Sequence, residues 1–245
     1  FLVVPMLVLV YGLPTQQAVG TSLAMVIFTA LSSTLAYVRQ QRVDYLLGMI
    51  LVVGTIPGAM AGAYATRLVS SAGLSSLFGI FLVAVAARML LSSISGGAAK
   101  PSSTGGRGWR RRLVDSRGDE FQYSVRIKPG IPLSILSGFA SGFFGVGGGV
   151  VMVPVINLAM GVPIHLAVAT SMFLMIFTSL SGVATHLAIG NVLPDYALFL
   201  AGGVIVGAQI GARVARRMQA SHLGSLFAVM LIIIGARMAL EYFLK

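Results

Sequence analysis

Long apolar runs, separated by short polar joints, dominate the chain. Stretches close to the roughly 20 residues that cross a bilayer as a helix recur at Ala18 to Tyr37, Tyr45 to Ala63, Leu74 to Leu91, Ala167 to Ile189, Tyr196 to Ala212 and Leu223 to Phe243. This pattern predicts several membrane-crossing helices and leaves little chain for a soluble domain. One run differs from the rest. "GFASGFFGVGGGVVMVP", Gly138 to Pro154, sets six glycines among large apolar residues; it is too apolar for a surface loop and too glycine-rich for an ordinary helix.

The polar joints reveal an internal repeat. "VVPMLVLVYGLPTQQAVGTSLAMVIFTALS", starting at Val3, lies over "MVPVINLAMGVPIHLAVATSMFLMIFTSLS", starting at Met152, an offset of 152 − 3 = 149 residues. The register continues through Gly58 and Gly207, Gly62 and Gly211, Arg67 and Arg216, and Arg88 and Arg237. Duplicated halves of this kind are a transporter signature. The expected organisation is a first transmembrane repeat over 1–91, a linker over 92–130 and a second repeat over 131–245. In this register Phe1 falls on Val150, just after the glycine run, so a counterpart of that run is expected to precede the sequence given.

Composition agrees with a membrane setting: 57% of residues are hydrophobic and 9% charged, where a soluble domain carries about a quarter charged residues. The net charge of +11 does not point to nucleic acid, because eight of the 17 Lys and Arg residues fall between Ser92 and Pro129 and the others sit at span ends. The linker, rich in Gly, Ser and Arg, reads as a flexible, solvated segment in the cytoplasm, with affinity for anionic lipid. The chain has no Cys, which excludes disulfides and thiolate metal sites, and the first apolar segment lacks the features of a cleavable signal peptide.

Two topologies compete. If the glycine segment crosses the membrane, each half has four spans and the halves are parallel, which puts Arg213 to Arg217 outside. If it dips in and returns, each half has about three full spans plus a broken or re-entrant helix pair, and the halves are inverted. Arg39, Arg42, the linker, Arg213, Arg216 and Arg217 then all face the cytoplasm. The positive-inside rule favours the second arrangement: an all-α, multi-pass protein of the cell membrane with two inverted repeats.

In that arrangement Gly147, Gly148 and Gly149 form the turn where two half-helices meet at membrane depth. The second half-helix would offer unpaired N–H groups to an anion, with glycine allowing close approach to the backbone. Close helix packing through small residues is the competing account, and it is the preferred one for Gly58, Gly62, Gly207 and Gly211. Thr170 and Ser171, with their counterparts Thr21 and Ser22, could donate hydroxyls to the same anion, or could back-bond within their helices. Asn157 is a further candidate, and Thr29, Ser32, Thr178 and Ser181 could line a path. Pro5 and Pro154 are expected early in their half-helices, where a missing N–H costs least.

"SGFFGVGGGVVMVPVI" followed by "GVPIHLAVATSMF", with the weaker first copy "VVPMLVLVYGLPTQQAVGTSLAMV", resembles the TauE/SafE sulfite exporter family, also called the toluene sulfonate uptake permease family. The resemblance spans both halves. It implies an integral membrane transporter of sulfur-containing or carboxylate anions such as sulfite, sulfoacetate or isethionate. No cofactor is expected. The departure from the family pattern is the absent first glycine run.

The ionisable residues add one candidate. His186 lies inside an apolar span, so it could carry a coupling proton or serve as a hydrogen-bonded core residue. His165 and His222 read as solvated. Arg88 and Arg237 could grip a sulfonate or snorkel to the interface. Gln209 could bond across helices, and Asp44 and Asp195 read as helix N-caps. No acidic residue falls inside a span, which weighs against a cation channel or carrier. Ser181 and His186, five apart, face different sides of a helix, and no catalytic motif or nucleotide-binding loop occurs. An anion channel or other permease stays open as the alternative, with a membrane-embedded enzyme less favoured.

Overall fold

A computed structural model describes residues 2–94, 108–203 and 220–240. Helices α1 (Val3–Leu9), α2 (Thr15–Arg39), α3 (Tyr45–Ala65) and α4 (Ser71–Ile94) come first, with a 3-10 turn at Thr66–Leu68 between α3 and α4. Strands β1 (Trp109–Val114) and β2 (Glu120–Val125) follow, then α5 (Gly130–Phe144), α6 (Gly149–Ala159), α7 (Ile164–Ala188), α8 (194–203) and α9 (Ala220–Leu240). Among the described residues three helices, Thr15–Arg39, Tyr45–Leu68 and Ile164–Ala188, are long and apolar enough to cross a membrane. Gly207, Gln209, Gly211, Arg213, Arg216 and Arg217 lie outside the described residues, as do the side chains of Arg88 and His222.

Local chemistry sets the helix boundaries. Pro14 and Pro163 stand immediately before α2 and α7, where a fixed φ and a missing N–H suit a helix start. Asp44 caps α3 by accepting the Leu47 N–H at 3.1 Å. Asp195 is no cap, since the helix already begins at Pro194. Pro5 falls in the first turn of α1 as expected, but Pro154 is the sixth residue of α6. Its missing N–H interrupts the bonding ladder, and from Val155 to Ala159 the helix widens into a π turn.

Small residues decide the packing. Gly54, Gly58 and Gly62 of α3 face Ser134, Ile135 and Phe139 of α5, so the two helices run parallel. A side chain at Gly58 or Gly62 would collide with the Ile135 or Phe139 carbonyl. Backbone therefore rests on backbone along this seam, as the sequence led us to expect of these two glycines. Helices α2 and α7 run antiparallel: Gly20 backs onto the His186 Cβ, and Gly182 onto Leu23. Helices α4 and α9 cross where Gly79 meets Gly235.

The 149-residue register reappears in space as a reciprocal exchange. The Thr170 hydroxyl accepts the N–H of Asp44 at 3.1 Å, and the Thr21 hydroxyl accepts the N–H of Leu193 at 3.1 Å. Thr170 is Thr21 + 149 and Leu193 is Asp44 + 149, so each half ties down the loop before the other half's next helix.

The segment read as a flexible linker folds in part. β1 and β2 form an antiparallel hairpin in which Trp109 pairs with Val125, Arg111 with Tyr123 and Leu113 with Phe121. These six residues share its inner face, while Arg110, Arg112 and Gln122 point outward. The all-helical expectation holds for the bundle but not for this stretch, where β alternation was hidden under a run of arginines.

Candidate functional site at the helical hairpin

Helices α5 and α6 form a hairpin whose two feet meet at one end of the bundle. The Arg126 N–H donates to the Met160 carbonyl at 3.0 Å, joining the chain before α5 to the chain after α6. The tip is the glycine run. Gly145, Gly147 and Gly148 have φ of 71°, 73° and 77°, left-handed values that strain any residue with a Cβ. The turn thus needs these glycines, and they are fully buried.

The tip sits where the long helices of both halves pass. A side chain on Gly147 would strike Val26 of α2 and Met175 of α7, which are themselves register partners, since 26 + 149 = 175. One added to Gly149 would run into the Met175 sulfur at 2.5 Å.

Three serines surround this turn. The Ser137 hydroxyl donates to the Gly148 carbonyl at 3.1 Å. Ser141 and Ser179 are 0% exposed, and their hydroxyl oxygens have no hydrogen-bond partner. Ser141 Cβ lies 3.2 Å, and Ser179 Oγ 3.5 Å, from where side chains on Gly148 and Gly147 would begin. Among the described residues the N–H groups of Gly149 and Val150, in the first turn of α6, also have no acceptor. Two buried hydroxyls, with the N–H groups of buried Gly149 and half-buried Val150, thus stand beside one turn without partners, an expensive arrangement in a low-dielectric interior.

The residues expected from sequence divide. Gly147, Gly148 and Gly149 form the turn, and Ser22 joins them by donating to the Gly145 carbonyl at 3.1 Å. Thr21 and Thr170 are committed to the loop bonds described above. Ser171 back-bonds to the Val168 carbonyl at 2.8 Å, and the Asn157 side-chain amide donates to Val162 at 2.8 Å, closing the turn after α6. Thr29, Thr178 and Ser181 also bond to carbonyls of their own helices. Sequence reasoning missed Ser137, Ser141 and Ser179. The first two lie one turn apart on α5, and that spacing was the signal available.

His186 joins α7 to α5. Its Nε2 lies 2.9 Å from the Gly142 carbonyl, and a carbonyl only accepts, so Nε2 carries a proton and donates. Nδ1 is buried with no partner. Arg237 is exposed, and the Arg67 guanidinium lies over the Tyr64 ring at 5.6 Å. Among the described residues no cluster of His, Asp and Glu suits a metal ion.

Long apolar helices around a helical hairpin with a buried tip define a helical membrane protein. Its kinship is specific: the sequence profile described as "Sulfite exporter TauE/SafE" matches residues 1–238, and the chain belongs to that family. It is 38% identical over 226 residues to the probable membrane transporter protein YunE of Bacillus subtilis, covering 92% of this chain and 81% of that one. It is 27% identical over 255 residues to a probable membrane transporter protein of Methanocaldococcus jannaschii, covering 98% and 87%. Sulfite exporter TauE/SafE family protein 3 of Arabidopsis thaliana is 32% identical over 113 residues, 45% of this chain and 24% of that protein. No solved structure matches the chain.

Proposed function

We propose that the protein is a secondary-active transporter of a small, singly charged oxyanion, such as hydrogen sulfite, a sulfonate or a monocarboxylate, held at the tip of the α5–α6 hairpin. The observation that carries this reading is the pair of buried, unpartnered hydroxyls, Ser141 and Ser179, beside the free N–H groups that open α6. In this reading all four donate to one oxyanion, which would satisfy each of them. The donors are neutral, so they suit one negative charge; a dianion would lose far more hydration than they return.

The joined feet of the hairpin support a re-entrant pair, and the reciprocal bonds of Thr21 and Thr170 support two inverted repeats around a shared site. The relatives named as transporters support the same class. In this reading the chain is multi-pass, the hairpin feet and the linker face the cytoplasm, and one repeat rocks against the other. His186 is the candidate proton carrier, since its Nδ1 lone pair faces no donor.

Ligand-induced thermal stabilisation of the purified chain in detergent tests the site directly. Methanesulfonate, singly charged across the working pH range, should raise the melting temperature saturably, and sulfate at equal ionic strength should not. Ser141→Ala/Ser179→Ala should abolish the shift. Equal shifts from both anions, or a shift that survives the double substitution, would refute the assignment.

A further inference from the structure

The β1–β2 hairpin does more than connect two halves. Its tip holds the turn between α2 and α3: the Ser116 N–H donates to the Gln40 carbonyl at 3.1 Å, and the Arg42 guanidinium donates to Asp115 at 2.7 and 3.0 Å. Its middle grips the cap of α3. Arg111 donates to both oxygens of Asp44, at 2.6 and 3.2 Å, and the Tyr123 hydroxyl donates to the same carboxylate at 2.6 Å. Just beyond the hairpin, the Arg126 N–H holds Met160 at the foot of α6. Tyr123 and Val125 are buried with Leu47 and Leu51 of α3, Met160, and Leu166 of α7.

The hairpin therefore lies across the seam between α3, α6 and α7, bonded to both halves at the end where the feet of the α5–α6 hairpin meet. Its attachment is suited to release. Tyr123 and Val125 are its buried apolar anchors, with Leu113 and Phe121 only partly buried against the same cluster, and a two-stranded sheet has little stability of its own. The Arg42 and Arg111 side chains are 18% and 25% exposed, so water can replace their carboxylate partners when they part. Asp44, whose side chain is 0% exposed, is where the strap, the α3 cap and the Thr170 bond converge.

We propose that this β-hairpin is a strap that closes one end of the path to the α5–α6 tip, with Asp44 as its latch, and that it must lift for the anion to pass. The proposal rests on the transport reading, and its test is chosen to fail separately. The backbone bond between Gln40 and Ser116 brings the two chains close enough for a disulfide, and the chain has no Cys of its own. In proteoliposomes, oxidised Gln40→Cys/Ser116→Cys should carry labelled methanesulfonate about tenfold more slowly than the same protein after reduction. Each single variant should be indifferent to oxidation. Equal flux in the two states would overturn the strap. If the wild type carries no anion, the transport reading falls, and labelling of Ser141→Cys by an impermeant maleimide in the same background decides the strap alone. Pinning should slow that labelling about tenfold; an unchanged rate would overturn it.

Discussion

A serine hydroxyl buried without an acceptor costs about 1–3 kcal/mol, so Ser141 and Ser179 weaken the empty protein. Their replacement by alanine should leave the melting temperature unchanged or raise it slightly, while each lost donor weakens anion binding by about tenfold or more, since bonds to charged groups contribute about 1.5–3 kcal/mol. Gly148 should behave in the opposite way. At φ 77° and with the Ser141 Cβ 3.2 Å from its missing side chain, Gly148→Ala strains the turn by about 1 kcal/mol or more, and it should lower both melting temperature and affinity. Thr170→Val would leave the Asp44 N–H unpaired and should lower stability by about 1–3 kcal/mol with little direct effect on the anion. The hydroxyl pairs duplicated in the sequence were legible as polar positions inside spans. The long-range partners of Thr21, Ser22 and Thr170 were not, because the N–H and carbonyl groups they meet lie on distant parts of the chain.

Among the elements, the α5–α6 hairpin was the most legible, since three glycines in a row among apolar residues pointed to a break in preference to close packing. The small-residue seam of α3 was readable from the four-residue spacing of Gly58 and Gly62, which sets both on one helix face. Gly58→Val should push two backbones apart and destabilise the fold by about 1–3 kcal/mol or more, whereas Gly202→Ala, with nothing among the described residues within 4 Å of the added carbon, should be neutral or slightly stabilising in the same melting experiment. The π turn after Pro154 was missed because the length of α6 before the proline could not be read. The β-hairpin was missed because "WRRRLV" was read for its charge and not for its alternation.

That hairpin carries a pH dependence with a definite sign. Hydrogen bonds from Arg42 hold the Asp115 carboxyl below the ordinary carboxylate range, aided by the N–H groups of Arg117 and Asp119 and opposed by desolvation. A lowered pKa in the folded state means that the contribution is present above the unfolded value, about 4, and is lost as pH falls through the folded one. The single Trp, Trp109, lies on the strap with the Arg111 guanidinium 4.6 Å from its ring. Its emission should therefore change on acidification below about pH 4. Asp115→Asn should remove the Asp115 part of that transition, leaving what Glu120, also lowered, contributes. Arg111, raised by its bonds to Asp44, and Tyr123, raised by burial, stay protonated throughout.

At the scale of the molecule, the duplicated sequence becomes two sets of helices that exchange equivalent bonds, with Gly147 lying between the equivalent residues Val26 and Met175. A site between two such halves can face either side of a membrane by their relative motion, and the strap ties them at one end. The most direct measurement is uptake of radiolabelled hydrogen sulfite and methanesulfonate, against sulfate, into proteoliposomes carrying the wild type or Ser141→Ala/Ser179→Ala. Saturable flux of the two monoanions, little flux of sulfate, and loss of about 90% or more of it in the folded double variant is the predicted result. Flux that the double variant carries as fast as the wild type would contradict the account.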